Sequence, residues 1–194
     1  MERRQNMKRY SWLLICVVCV TAFILVRSVT AVSSLPSPTP DSADAKRTVP
    51  VEYSLPYPGM LPDHPLYILK TVRDKIMEFL ISDPIRKIEF YILQSDKYVN
   101  AGVLLIDQQK ETLAKSAFSA ANAYKKQAVT LSDTLGKQGG MLPQYISERL
   151  GKSLMKQEEV ITSIAERIPQ SYKEVFVGFI SVIHGIQEEF SKIQ

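Results

Sequence analysis

Residues 111–137 read ETLAKSAFSAANAYKKQAVTLSDTLGK, and this stretch decides the fold. Leu113, Ala117, Ala120, Tyr124, Ala128, Leu131 and Leu135 recur at steps of three and four, a near-heptad spacing that gathers them on one side of an α-helix. The stripe is narrow and rich in alanine, so the helix is suited to tight packing against a neighbour. Gly136, Gly139 and Gly140 end it.

Such a helix must bury its stripe against other elements, and the flanking sequence supplies them. Upstream, Asp83-Pro84 reads as a helix start, and Ile85, Ile88, Ile92, Val99, Val103 and Ile106 carry the period to about Asp107. Gly102 lies within that helix at a cost of about 1 kcal/mol relative to alanine, and a close helix crossing is the economical reason for it. Before it, Leu69, Val72, Ile76, Phe79 and Leu80 predict a core-facing stripe on a helix that stops near Ile81. Asp63-His64-Pro65 reads as its start, with Asp63 as N-cap and Pro65 in the first turn. Downstream, Pro143 opens a fourth helix with its stripe on Ile146, Leu150, Leu154, Ile161, Ile164 and Ile168, and Gln157 at one inward position. Pro169 breaks it. Ser171 and Glu174 have the spacing of a capping box for a fifth helix, which buries Val175, Phe176, Phe179, Ile183, Ile186 and Phe190. No strand-like alternation persists, so the expectation is an all-α, antiparallel bundle of about five helices.

Between Ser33 and Pro65 lie eight of the eleven prolines. Proline fixes φ and removes a backbone donor, so the segment from 33 to about 50 reads as an extended tether. Tyr53, Leu55, Tyr57, Met60 and Leu61 are too apolar for a spacer and belong to the folded part. Pro58-Gly59 reads as a type II turn, with glycine supplying a positive φ. The expected divisions are a basic tail at 1–9, a membrane or signal segment at 10–32, a Pro-rich linker at 33–52 and a helical domain at 53–194.

Leu55-Pro56-Tyr57-Pro58-Gly59-Met60-Leu61-Pro62-Asp63-His64-Pro65-Leu66-Tyr67, then Leu69-Lys70 and Asp83-Pro84-Ile85-Arg86-Lys87, resembles a family of bacterial and archaeal exported proteins known only as a domain of unknown function. The match is specific over about residues 55–90 and general beyond them, where it rests on helix order and the Ile168-Pro169 break. The resemblance implies an all-helical extracytoplasmic domain behind an N-terminal signal or anchor, in some relatives the outer part of membrane regulators resembling anti-sigma factors. It gives Pro58, Gly59, Pro62, Asp63, Pro65, Tyr67, Asp83 and Pro84 a place in a shared motif and implies no catalytic residue.

The net charge of +4 is unevenly placed. Arg3, Arg4, Lys8, Arg9 and Arg27 stand against Glu2 in the first 32 residues, and the remaining chain has equal numbers of acids and bases. A nucleic-acid interface needs a basic excess to displace counterions from phosphates, and the folded part has none. Tyr10 to Val26 are uncharged, with Trp12, Leu13, Leu14, Phe23, Ile24 and Leu25 among them, and as a helix reach about 25 Å against a hydrocarbon core of about 30 Å. The preceding cations place the N-terminus in the cytoplasm and the domain outside. The expectation is a single-pass cell-membrane protein; the alternative is a secreted one, cleaved after Val29-Thr30-Ala31. Cys16 and Cys19 are the only cysteines, so the exported part has no disulfide. Leu13-Leu14-Ile15-Cys16 only superficially resembles a lipobox, and both cysteines read as apolar members of the segment.

Chemistry is sparse. His64 beside Asp63 makes a poor metal site, and His184, beside the apolar face near Ile180 and Ile183, reads as a packed or partly exposed helix histidine. Glu158-Glu159 and Glu188-Glu189 read as solvated pairs, with Glu188 and Lys192 at ordinary i,i+4 spacing. No cofactor is expected, no small-molecule substrate is identified, and the chain does not read as an enzyme. The expected partners are the membrane, through the N-terminal helix, and another envelope protein, met by the Ala-rich third helix or by Tyr53, Tyr57 and Tyr67. A sensory ectodomain and an exported hydrolase or metal protein are the competing readings.

Overall fold

A computed structural model describes residues 51–193. Five α-helices occupy them: α1 Tyr67–Leu80, α2 Pro84–Asp107, α3 Glu111–Lys137, α4 Gln144–Arg167 and α5 Gln170–Ser191. There is no strand among the described residues, and none of their helices is long and apolar enough to cross a membrane. The expected basic tail, the segment containing Trp12, Leu13, Leu14, Phe23, Ile24 and Leu25, and the linker up to residue 50 lie outside the described residues.

Side-chain pairs fix the order of packing. Tyr67 and Glu78 of α1 meet Tyr98 and Tyr91 of α2. Ser95 and Asp96 of α2 meet Ala121 and Lys125 of α3, Asn122 and Lys125 meet Gln157 and Ser153 of α4, and Glu158 of α4 meets His184 of α5. Numbers rise on one helix as they fall on the next in Tyr67 with Tyr98 and Glu78 with Tyr91, in Asp96 with Lys125 and Gly102 with Phe118, in Asn122 with Gln157 and Lys125 with Ser153, and in Gly151 with Phe190 and Glu158 with His184, so successive helices run antiparallel.

Two apolar clusters form the core. One surrounds Leu105, Phe118, Ile161 and Phe176; the other surrounds Ile88, Ile92, Leu150 and Ile186. Phe118 and Phe176 meet edge to face with centroids 5.5 Å apart, and burial of each ring contributes about 1.5–3 kcal/mol. Helix α3 occupies the centre, but its buried seam runs through Ala114, Phe118, Ala121, Lys125, Ala128 and Ser132. Of the expected stripe, Ala117 and Ala128 are buried, while Leu113, Ala120, Tyr124, Leu131 and Leu135 are half-buried beside the seam; the charge at position 125 kept the centre of the seam off an apolar count. At the α2–α3 crossing, a Cβ on Gly102 would lie 2.6 Å from the Phe118 ring, so glycine is what lets the ring seat there.

Asp83 caps α2 by accepting from the Ile85 N–H at 2.9 Å, with Pro84 in the first turn. The break between α4 and α5 falls at Ile168 and Pro169. Two expected starts differ. Helix α1 begins at Tyr67 rather than near Asp63, with Leu66 at its N-cap and no side-chain cap; Asp63 is drawn instead to Lys110 at 2.5 Å, and Pro65 sits in the turn before the helix. Helix α5 begins at Gln170 without a side-chain cap, so Ser171 already lies inside it and makes no capping box.

Candidate functional site

Three neighbouring features stand out: a sealed polar layer, the strap that closes it, and the helix that follows the strap. The polar layer separates the two apolar clusters. Asp96, Lys125, Ser153 and Gln157 are fully buried, with Ser95 and Asn122 beside them. Lys125 Nζ lies 3.1 Å from Asp96 Oδ1, the Ser153 hydroxyl bridges both, and Gln157 donates to Asn122 Oδ1 at 2.6 Å. Burial pushes the Lys125 ammonium below its ordinary pKa, and the Asp96 carboxylate partly opposes that. A serine beside a lysine of lowered pKa is the pairing used by nucleophilic hydrolases. Here both are closed to solvent and engaged with a carboxylate, so the geometry locks three helices in register.

Residues 51–61 form the strap. The Val51 N–H donates to Glu159 Oε2 at 2.9 Å, Tyr53 Oη donates to Asp96 Oδ2 at 2.5 Å, and Asn100 Nδ2 donates to the Pro56 carbonyl at 2.9 Å. Burial, and then the Asp96 charge, raises the Tyr53 phenol to about 12. Gly59 takes φ +74°, the left-handed conformation its turn requires, and the turn delivers two carbonyls to one ammonium: Lys70 Nζ donates to Pro58 O at 2.9 Å and Met60 O at 3.3 Å. The same ammonium lies 5.4 Å from the centroids of Tyr67 and Tyr98. Asp63 closes the strap through Lys110, whose hydrogen bond holds the Asp63 carboxyl below its ordinary value. The motif residues therefore fasten the strap to α1, α2 and the α2–α3 turn. A cleft of about 650 Å³ lies beside it, lined by Tyr57, Met60, His64, Lys70, Arg73 and Lys97.

Helix α1 reverses the expected orientation. The stripe of Leu69, Val72, Ile76, Phe79 and Leu80 faces solvent, with Phe79 85% exposed and Ile68, beside it, 70% exposed. The inward side carries Tyr67, Lys70, Asp74 and Glu78: Tyr67 Oη donates to Tyr98 Oη at 3.1 Å, Tyr91 Oη donates to Glu78 Oε1 at 2.9 Å, and Lys70 and Asp74 are buried. The physical reason is the strap. Its carbonyls and the tyrosines of α2 offer partners to polar side chains, whereas the apolar clusters are already filled by α2–α5. Asp74 Oδ2 and Gln94 Oε1 are buried without a hydrogen-bond partner, so this junction is the least satisfied of the contacts between helices.

The remaining candidates are dispersed. Tyr53 and Tyr67 turn inward and leave only Tyr57, 79% exposed, on the surface, and the Ala-rich side of α3 is core. Of the surfaces expected to meet a partner, Tyr57 remains open, whereas Tyr53, Tyr67 and the buried alanines of α3 are taken up by contacts within the chain. His64 accepts the Leu66 N–H on Nδ1 at 3.1 Å, and no group of three metal-ligating residues occurs among the described residues. His184 Nε2 lies 2.8 Å from Glu158 Oε1. Partial burial raises the Glu158 carboxyl, but hydrogen bonds from Gln187 and His184 outweigh it and hold the group below its ordinary value. Glu159 joins Lys156 and the strap rather than Glu158, and Glu188 pairs with Lys192 on the surface. Sequence reasoning missed the polar layer except for Gln157, although Asp96 and Lys125 stand out by the same test, as polar residues amid buried helix positions. Comparison of the chain with described protein families, with curated proteins and with solved structures finds no match.

Proposed function

We propose that this protein is a membrane-tethered, extracytoplasmic helical module that acts as an interaction or structural element of the cell envelope, through a surface rather than through a reaction. The observation that carries this reading is the outward apolar side of α1. A helix that turns Val72, Ile76 and Phe79 to solvent and buries lysine and aspartate leaves an uncovered patch of the kind that marks an interaction site. The uncharged segment Tyr10–Val26 and the cations before it support the tether and its orientation, and the Pro-rich stretch supports a spacer behind which the bundle is displayed. The proline motif fits the resemblance to exported helical domains.

Fractionation of the native protein with intact-mass measurement tests the tether. A full-length species in the membrane fraction is the expected result; a soluble species beginning at Val32 replaces the tether with secretion. One observation favours a second reading, a ligand-sensing ectodomain: the cleft beside the strap brings three cations, Lys70, Arg73 and Lys97, together with one carboxylate, Asp63. A small anion that binds there raises the melting temperature of the wild-type chain and leaves that of Lys97→Ala unchanged, and the absence of any such shift across an anion panel removes this reading.

A further inference from the structure

We infer that the outer side of α1 docks flat on the surface of an anionic lipid bilayer; the inference rests on the tethered reading above and names what covers the exposed helix. With about 100° between successive helical residues, Ile68, Val72, Ile76, Phe79, Leu69 and Leu80 form one continuous outward stripe, and Arg73 and Lys75 fall on its two edges. Both cations are exposed. Arg73 donates to Asp74 Oδ1 at 2.7 Å yet keeps its side chain 64% exposed; the carboxylates of α1 lie inward of the stripe, Asp74 buried and Glu78 half-buried and accepting from Tyr91, so the outer side shows cations and no exposed acid. Arg86, at the start of α2, is exposed too but stands 3.8 Å from Asp83, so the excess of charge on this side rests on Arg73 and Lys75.

That charge pattern selects the occupant. A second copy packed α1 to α1 would set Lys75 and the exposed side of Arg73 against the same cations, and the one carboxylate within reach, Asp74, is buried and already engaged by its own Arg73. A bilayer containing anionic lipid offers headgroup phosphates at the level of the cations and acyl chains at the level of Phe79 and Ile76, the arrangement of an interfacial amphipathic helix. The helix has 14 residues, about 21 Å at 1.5 Å per residue, too short for a hydrocarbon core of about 30 Å. Its inner side is tied to the bundle through Tyr67, Lys70 and Glu78. It therefore lies in the plane of the surface with only its outer half in lipid.

The test uses the full-length chain carrying Trp12→Phe and Phe79→Trp, reconstituted in vesicles whose acyl chains are brominated, in parallel with a Trp12→Phe, Met141→Trp chain as a reporter at the exposed α3–α4 turn. Quenching of the Phe79→Trp reporter at least threefold above the Met141→Trp reporter in phosphatidylglycerol-containing vesicles is expected. It should fall in pure phosphatidylcholine, at high salt, and on adding Ile76→Glu, a change at a side chain 54% exposed. Equal quenching of the two reporters overturns the inference, as does a Phe79→Trp reporter shielded from water but unquenched by lipid, which identifies a protein on the face instead. Sedimentation with vesicles after alkaline extraction reads the tether separately. A chain that is extracted yet still quenched on anionic vesicles refutes the tether and keeps the docking; one that resists extraction and is unquenched does the reverse.

Discussion

Lys125 on α3 and Asp96 on α2 form an ion pair, 3.1 Å from Nζ to Oδ1, with neither side chain exposed to solvent. The pair joins the two helices that form the centre of the bundle, and Ser153 brings α4 to the same point. A buried pair repays its desolvation only when both partners are present, and removing one leaves an uncompensated charge. Lys125→Met should therefore cost about 3–5 kcal/mol in urea unfolding. Lys125→Met combined with Asp96→Leu should cost less than the sum of the single changes. Additive losses would show that the two groups do not act as a pair.

Tyr53 ties the strap to the same carboxylate. A hydrogen bond to a charged group is worth about 1.5–3 kcal/mol, so Tyr53→Phe should lower stability by that order while leaving the helix content by circular dichroism unchanged. Limited proteolysis should then cut within residues 51–61 before it reaches any helix. Cleavage inside α2 or α3 at the same rate would mean that the strap is not a separately opening element.

Gly102 and Gly178 should respond to alanine with opposite signs. A Cβ at 102 meets the Phe118 ring at 2.6 Å, whereas a Cβ at 178 meets nothing within 4 Å. Gly102→Ala is expected to destabilise by about 1–3 kcal/mol through overpacking, despite the helix propensity it gains. Gly178→Ala should stabilise by up to about 1 kcal/mol. Thermal melts of the two variants against the parent decide this.

Four tyrosines make the fold sensitive to strong base. Burial raises Tyr53, Tyr91 and Tyr124 to about 12 and Tyr67 further. An unfolded phenol loses its proton near 10.0, so above that pH the folded state holds more protons than the unfolded one, and stability falls as pH rises. Below it the stabilisation is fully present. Lys70 and Lys125 are held by burial below their ordinary 10.5 and work the other way, adding stability as pH approaches that value. Unfolding free energy should therefore decline above about pH 10.5 and be largely lost by about 12, with part of the tyrosinate absorbance appearing only on unfolding. Flat stability across that range would contradict the burial of these phenols.

The backbone plan was legible because it rests on strong local signals. Apolar residues at three and four spacing marked α2, α4 and α5, Asp83-Pro84 marked the start of α2, and Ile168-Pro169 marked the break before α5. Gly102 was legible as a close crossing, although Phe118 as the residue that needs it was not. What escaped was polar. Lys125 and Asp96 carry no period on an apolar scale, yet they occupy the layer between the two clusters. Helix α1 escaped for the complementary reason: periodicity locates an amphipathic helix but does not say which side faces inward. The strap carbonyls at Pro58 and Met60 and the α2 tyrosines, both distant in sequence, settle that in favour of Lys70 and Glu78. The strap itself was legible as folded rather than as spacer, but its long-range partners Glu159, Asp96 and Asn100 were not.

Site-specific photocrosslinking from position 79 in native membranes tests the surface role of α1 most directly. With a benzophenone side chain in place of Phe79, a working outer face yields adducts to molecules other than the bundle, anionic lipid foremost, identified by mass spectrometry of the purified product. Adducts confined to residues 84–193 of the same chain would mean that this side of α1 is core, and would contradict the proposal.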